Sequence, residues 1–285
     1  MSRGLPAPLV ASRCSPDPGH VAAHVWANSP RESGAAVITR DRQLSGSVHP
    51  SAVIVGVPAR NEASSVAACL RSIARAARRA RRPVVVVLAA DCCTDGTAKI
   101  AETTDAAPAH LVVVRGEWGS AGGARAAAIS TGLALLADDT ASAWIATTDA
   151  DTIVAEDWLE RQLDHARHGA DAVAGIVELI DEPAVDIATV HAFERLYRLD
   201  GPTHPHVHGA NLGVDAAWYR RTGGFRAVTC SEDHLLWQML QRLGAHCLST
   251  IDVRVATSAR LQGRAAGGFA DTLRAAVDPL AGEPA

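Results

Sequence analysis

Trp144-Ile145-Ala146-Thr147-Thr148-Asp149-Ala150-Asp151 is an apolar run that ends in two carboxylates one residue apart. A short run of this kind reads as a buried strand, and on an extended backbone residues i and i+2 point to the same side. Asp149 and Asp151 are therefore expected to converge at the carboxyl end of an inner strand. Converging carboxylates repel each other unless a cation or a hydrogen-bond donor sits between them. Hard oxygen ligands suit Mg2+ or Mn2+, whose remaining positions go to water and substrate phosphates. A strand ending in a polar turn would use the same residues, so the flanking chain has to decide.

Upstream, Ala52-Val53-Ile54-Val55-Gly56-Val57 reads as a buried strand that Pro58 should stop. Ala59-Arg60-Asn61-Glu62 follows, then a helix with Val66, Leu70, Ile73 and Ala77 on one face. Val84 to Ala90, almost wholly apolar, reads as a strand buried on both faces. It enters Asp91-Cys92-Cys93-Thr94-Asp95-Gly96-Thr97, where Thr94 or Asp95 can cap a helix through Ile100. Leu111 to Val114 is a third strand, and the glycine-rich Gly116 to Gly123 leads into a helix from about Ala124 to Ala137. Strands and helices alternating at roughly 30-residue intervals imply βαβ units. The expected fold is α/β, a mainly parallel central sheet flanked by helices, with ligands at the carboxyl edge of the strands.

Downstream the pattern predicts helices over Trp158–His168 and Ile187–Leu199 around a strand, Ala172–Leu179. A His-rich loop, Thr203 to Asn211, comes next, then a short helix near Ala216 to Arg221. Ser231-Glu232-Asp233-His234 opens a helix with an apolar stripe that Gly244 ends, and Cys247 to Val255 is a last strand.

With 285 residues, 48% hydrophobic and 20% charged, the chain has the composition of a soluble globular protein with ample core. A formal net charge of -4 argues against a general nucleic-acid binder. Arg71, Arg75, Arg78, Arg79, Arg81 and Arg82 read as the solvated face and last turn of one helix. Cys14, Cys69, Cys92, Cys93, Cys230 and Cys247 show no framework spacing, which fits reduced thiols and a cytoplasmic location. The strongest apolar run, Val84 to Ala90, is far too short to span a bilayer. The first strand lacks G-x-G-x-x-G, and the phosphate-loop pattern is absent, which sets aside nicotinamide chemistry and that type of phosphoryl transfer.

Pro58-Ala59-Arg60-Asn61-Glu62, Asp91 to Thr97, Gly122-Gly123-Ala124-Arg125, Asp149-Ala150-Asp151 and Glu232-Asp233 occur in order at strand and helix ends. Together they resemble family 2 glycosyltransferases of the GT-A fold, over about Ala52 to Val255. The resemblance implies that Pro58, Ala59, Arg60, Asn61 and Glu62 line the donor nucleotide and that Asp91 meets its base. The family's Asp-Asp-x-Ser pattern reads Ala90-Asp91-Cys92-Cys93 here. It further implies that Gly123 and Arg125 face the donor, that Asp149 lies near the ribose, and that Asp151, with Asp149, serves the Mn2+ or Mg2+ on the diphosphate. Glu232-Asp233 matches the late acidic pair that takes the acceptor's proton, with Asp233 preferred as base and Glu232 as its orienting neighbour.

His204, His206 and His208 alternate, so an extended backbone could aim all three at zinc, but Pro205 disfavours a regular strand. The expectation is a polar acceptor loop, because His208-Gly209-Ala210-Asn211 resembles the segment bordering the acceptor pocket. Arg260 or Arg264, in the glycine-bearing Thr257 to Arg264, is expected to act as a lid on the diphosphate. The expected organisation is a peripheral or poorly ordered extension over 1–50, a transferase domain over 51–256 and a lid and tail over 257–285. The expected activity is metal-dependent, inverting transfer of a sugar from a nucleotide-sugar donor to a hydroxyl acceptor. Homo-oligomerisation is left open. A sugar-phosphate nucleotidyltransferase and an inactive nucleotide-sugar binding protein are the rival readings.

Overall fold

A computed structural model of the chain describes residues 50–136, 142–180, 187–197, 199, 201–264 and 268–277. In chain order the elements are β1 (Ala52–Ala59), α1 (Val66–Ala80), β2 (Val84–Asp91), α2 (Thr97–Thr103), β3 (His110–Gly116), α3 (Ala121–Leu136), β4 (Ala143–Thr147) and β5 (Thr152–Val154). They continue with α4 (Trp158–Arg167), β6 (Ala172–Leu179), α5 (Ile187–Leu196), a 3-10 turn (Gly209–Asn211), β7 (Leu212–Asp215), α6 (Ala216–Thr222), α7 (Glu232–Arg242), β8 (Cys247–Thr257) and α8 (Phe269–Val277). The extension expected over 1–50 lies outside the described residues except for Pro50. Among the described residues no helix is long and apolar enough to cross a membrane.

Alternation along β1 places the core. Val53, Val55 and Val57 share one buried cluster with Cys69, Leu70 and Ile73 of α1 and with Trp144 and Trp158, while Ile54 joins Ile129 and Ile145 on the other face. A strand covered on both faces has no polar side to offer, hence the unbroken apolar runs of β1 and β2. The eight strands are ordered β3-β2-β1-β4-β7-β6-β8-β5. β3, β2, β1 and β4 pair in parallel, as do β6 and β8; β7 is antiparallel to both neighbours and β5 to β8. The sheet is therefore mostly parallel, as the alternating pattern implied, with one reversed strand in its middle.

Several boundaries differ from the sequence reading for identifiable reasons. Pro58 does not end β1, which runs on to Ala59 beside β2. The Gly56 carbonyl accepts from Thr148, so Pro58, two residues on, also turns its nitrogen toward β4. Pairing of β1 with β4 ends at Gly56, so the missing N–H costs no ladder bond. α3 begins at Ala121 and takes both glycines into its first turn, where the Ser120 hydroxyl accepts from the Gly123 amide at 3.1 Å. β4 stops at Thr147, so Asp149 and Asp151 lie in the turn to β5, not on an extended strand, and the Thr152 amide donates to the Asp149 carbonyl at 3.1 Å. The alternation argument for their convergence therefore does not apply; the turn brings them together. β5, β7 and α8 were not anticipated, and α5 ends at Leu196. α8 packs on α5 through Phe269 and Phe193, whose rings lie 6.1 Å apart.

Gly132 sets how closely α3 lies on β1. A Cβ there would overlap Ile54 Cγ2, on a β-branched side chain that is fully buried. Helix propensity favours alanine by about 1 kcal/mol, whereas overpacking a rigid core costs about 1–3 kcal/mol. Gly132→Ala is therefore expected to lower stability by up to about 2 kcal/mol in urea denaturation; a stabilised variant would show that the helix can back away from the sheet.

Candidate active site

The carboxyl ends of β1, β2 and β4 meet the amino ends of α3 and α7, and the chemistry-bearing residues collect there. After β1 the chain turns through Asn61 in the left-handed region (φ 56). Asn61 Oδ1 accepts from the Thr94 amide at 2.8 Å, and the Glu62 amide donates to Thr97 Oγ1 at 2.7 Å, so the first two strand-end loops hold each other. Asp95 accepts from both the amide and the hydroxyl of Thr97, but the N-cap of α2 is Gly96 without a side-chain cap bond, so neither Thr94 nor Asp95 takes the capping place expected of them. Cys93 Sγ donates to the Ala59 carbonyl and receives the Asn61 amide, so one departure from the family's pattern still serves the loop junction.

Asp91 is 3% exposed and its Oδ1 accepts from the Trp118 and Gly119 amides at 2.6 and 2.9 Å. One carboxylate oxygen thus folds the glycine-rich loop. Arg60, in contrast, projects into solvent.

Glu62 is buried and clasped by the segment after β8. Arg260 Nη1 and Nη2 lie 2.9 and 2.7 Å from its two oxygens, Arg264 Nη1 pairs with Oε2, and Ser65 adds a hydroxyl at 2.8 Å. Burial alone would raise the Glu62 carboxyl; the hydrogen bonds of Arg260 and Arg264 and the charge of Arg260 outweigh it and hold the group below its ordinary value. Arg260 Nη2 also lies 3.0 Å from Asp151. Even so, burial and the neighbouring charge of Asp149 push the Asp151 carboxyl up to about 6. The charged form of Asp151 is thus disfavoured first by burial and then by the charge of Asp149, against the opposing pull of Arg260.

Arg125 is placed differently from the sequence reading. It neither faces the donor as an open cation nor lies on the surface: it is 2% exposed, with Nη2 2.6 Å from Asp149 Oδ1 and Nη1 paired with Glu232 Oε1. Gly122 packs against the Arg226 carbonyl and the Glu232 side chain, which leaves no room for a Cβ there. Asn211 is a second correction. It is fully buried, donates to the Ile176 and Val253 carbonyls at 2.7 and 2.9 Å and accepts from Trp158 Nε1 at 2.9 Å, so its amide clamps β6, β8 and α4 and does not face an acceptor. Gly209 does border the acidic pair: its amide donates to Asp233 Oδ2 at 2.8 Å, and its carbonyl accepts from Thr147 Oγ1 at 2.6 Å.

Glu232 and Asp233 open α7 side by side but differ in surroundings. Glu232 is buried against Arg125, while half-buried Asp233 holds the Gly209 amide and, through Oδ1, the His234 amide at 2.8 Å. The three loop histidines lie side by side as stacked rings, His204 on His206 at 5.8 Å and 23°. His206 stacks on Tyr197 at 4.0 Å and 13°, and on His208 at 6.1 Å and 12°. Burial pulls the His208 ring down to about 4 against the opposing charge of Asp233, and its Nε2 is buried without a hydrogen-bond partner. Among the described residues no set of three or more His, Cys, Asp or Glu side chains forms a metal cage.

Sequence reasoning missed Thr147, Trp118 and the ring stack of Phe193, Tyr197 and Phe269. Only Thr147, inside the apolar run before the two aspartates, carried a visible signal.

A family model described as Glycosyl transferase family 2 matches residues 54–223, ending before Glu232. TarS of S. aureus is similar in structure over 73% of this chain and 36% of that one, at 15% identity and a TM-score of 0.53. The TarS 1-349 structure gives 73% and 60% coverage, 15% identity and a TM-score of 0.52. The chain thus spans less than two thirds of either. Comparison with curated proteins returns no match.

An aspartate raised to about 6 from 3.8 favours folding below about pH 4, and that contribution is lost as pH rises through 6. Two pH units correspond to about 3 kcal/mol at most. Without added metal, Asp151→Asn is expected to exceed wild type in stability by about 1–3 kcal/mol at pH 8, the gap closing below pH 4. Urea denaturation at both pH values measures it, and equal stability at pH 8 would contradict the crowding.

Proposed function

The chain belongs to glycosyl transferase family 2, and from that premise we propose that it transfers a sugar from a nucleotide-sugar donor to a hydroxyl acceptor, with inversion and with help from Mn2+ or Mg2+. The observation that carries this reading is the split within the acidic pair. Glu232 is ion-paired and buried, and Asp233 beside it is half-open at a helix start tied through Gly209 to the donor strand.

The residues fit a divalent ion. Asp149 and Asp151 offer hard oxygens in a corner where burial and, after it, the charge of Asp149 push Asp151 up to about 6. Two protein ligands without a full cage suit Mg2+ or Mn2+, which retain water and accept diphosphate oxygens. When bound, the ion supplies charge stabilisation for the leaving nucleoside diphosphate.

The chain's own groups do the rest. Asp91 offers Oδ2 to the base, and the interlocked Pro58–Glu62 and Cys92–Thr97 loops form the floor of the nucleotide site. Arg260 and Arg264, held by Glu62 and Asp151 in this structure, can turn to a diphosphate, which offers them equivalent oxygen partners. Asp233 accepts the acceptor's proton as its hydroxyl oxygen attacks the anomeric carbon and the diphosphate departs from the opposite face. Two backbone amides, those of Gly209 and His234, keep that carboxylate aimed. The nucleotidyltransferase reading has no glycine-rich phosphate loop after β1 to rest on, and the inactive-binder reading has to explain an intact Asp149, Asp151 and Asp233.

A calorimetric screen of UDP, GDP and dTDP with and without Mn2+ tests the reading. One of them is expected to bind at least about tenfold more tightly with the metal, and Asp151→Ala to abolish the difference. Equal affinity in Mn2+ and in chelator would refute the metal role, and no binding at all would refute the transferase.

A further inference from the structure

A guanidinium sealed from water is expensive, and replacing a buried ion pair by apolar groups is often neutral or stabilising. Arg125 carries an additional cost, since its Nε is buried with no hydrogen-bond partner. Stability alone therefore gives a poor reason for its presence. Its seat is nevertheless closely shaped. A Cβ on Gly209 would stand 2.5 Å from the guanidinium carbon, one on Gly122 would stand 2.9 Å from Glu232 Cβ, and the Phe225 ring centre lies 5.4 Å from Cζ.

The guanidinium links two functional ends of the fold. Nη2 holds Asp149 Oδ1 at 2.6 Å in the turn after β4, and Nη1 holds Glu232 in the first turn of α7. A second route runs beside it, from Thr147 Oγ1 to the Gly209 carbonyl at 2.6 Å and from the Gly209 amide to Asp233 Oδ2 at 2.8 Å. Successive helical residues point about 100° apart. Fixing Glu232 inward on Arg125 therefore fixes the direction of Asp233, and it removes from competition the one carboxylate that could replace it.

We propose that Arg125 is a positioning residue for transfer: by ion-pairing Glu232 and Asp149 at once, it selects Asp233 as the sole proton acceptor and sets its place relative to the donor. This rests on the reading of Asp233 as base, and extends it to a residue that touches neither reacting group. Without the guanidinium, Glu232 is a buried carboxylate with no partner. It must then either reorganise the start of α7 or turn outward beside Asp233, and both displace the base.

The test uses the full chain as wild type, Arg125→Lys, Arg125→Met and the double variant Arg125→Met/Glu232→Gln. Binding is read by calorimetry with the nucleoside diphosphate and Mn2+ that wild type binds best. Turnover is read as diphosphate released from the matching nucleotide sugar, with water or added sugars as acceptor. Arg125→Met is expected still to bind the diphosphate, within about tenfold of wild-type affinity because Asp149 loses its guanidinium partner, while kcat at saturating donor falls about 100-fold. The double variant should recover at least about tenfold of that loss, because the orphaned carboxylate is gone, and Arg125→Lys should lie between wild type and Arg125→Met. If Arg125→Met fails to fold, the lysine and double variants carry the same comparison. Turnover within threefold of wild type in Arg125→Met, or a double variant no better than the single one, would overturn the proposal while leaving the transferase reading intact. Failure of wild type to bind any nucleoside diphosphate or to turn over would instead remove the transferase reading and this inference with it.

Discussion

The structure depends on one buried cation between two carboxylates. Arg125 is the only charged residue of α3, and Asp149 and Glu232 come to it from the turn after β4 and from the start of α7. Losing the guanidinium would leave Glu232 as a buried carboxylate without its ion-pair partner, which costs several kcal/mol. The strand end and the helix start are therefore held in mutual register by electrostatics; Gly209 is small because its backbone lies against the guanidinium, and Gly122 because the Arg226 carbonyl and the Glu232 side-chain stem lie against it. Elements distant in sequence thus deliver their side chains to one edge of the sheet.

On the donor side the balance differs. Glu62, Asp149 and Asp151 face Arg260 and Arg264 from the segment after β8, and Arg125 serves Asp149 from below. The arginines hold Glu62 below its ordinary value and leave Asp151 above its own. A site with one satisfied and one crowded carboxylate is suited to gain a cation and to release its arginines to an incoming anion.

Much of the architecture was legible because burial on both faces leaves long apolar runs, as in β1, β2 and β6. β7, four residues around Gly213 between a turn and a helix, has no such run, and the parallel pattern gave no reason to expect a reversed strand. The candidate residues were legible as types at strand ends, but their partners depend on tertiary packing. Asn211 belonged by position to the acceptor segment, yet its amide is consumed by two strand carbonyls and an indole. Arg125 did carry a readable hint, since a lone charge in a helix of alanine, glycine and leucine signals a buried role. Asp149 and Asp151 converge for a reason the period-two argument did not contain, a tight turn that sequence alone places poorly.

The central claim is that the acidic pair is divided into a structural carboxylate and a reactive one. Turnover of Asp233→Asn, measured beside its diphosphate affinity, tests this most directly, because asparagine keeps the size and shape of the side chain while giving up the carboxylate charge and one of the two oxygens that hold the Gly209 and His234 amides. The account predicts a fall in kcat of about 100-fold to 10,000-fold with binding unchanged. Wild-type turnover in Asp233→Asn, with the loss appearing in Glu232→Gln instead, would contradict it.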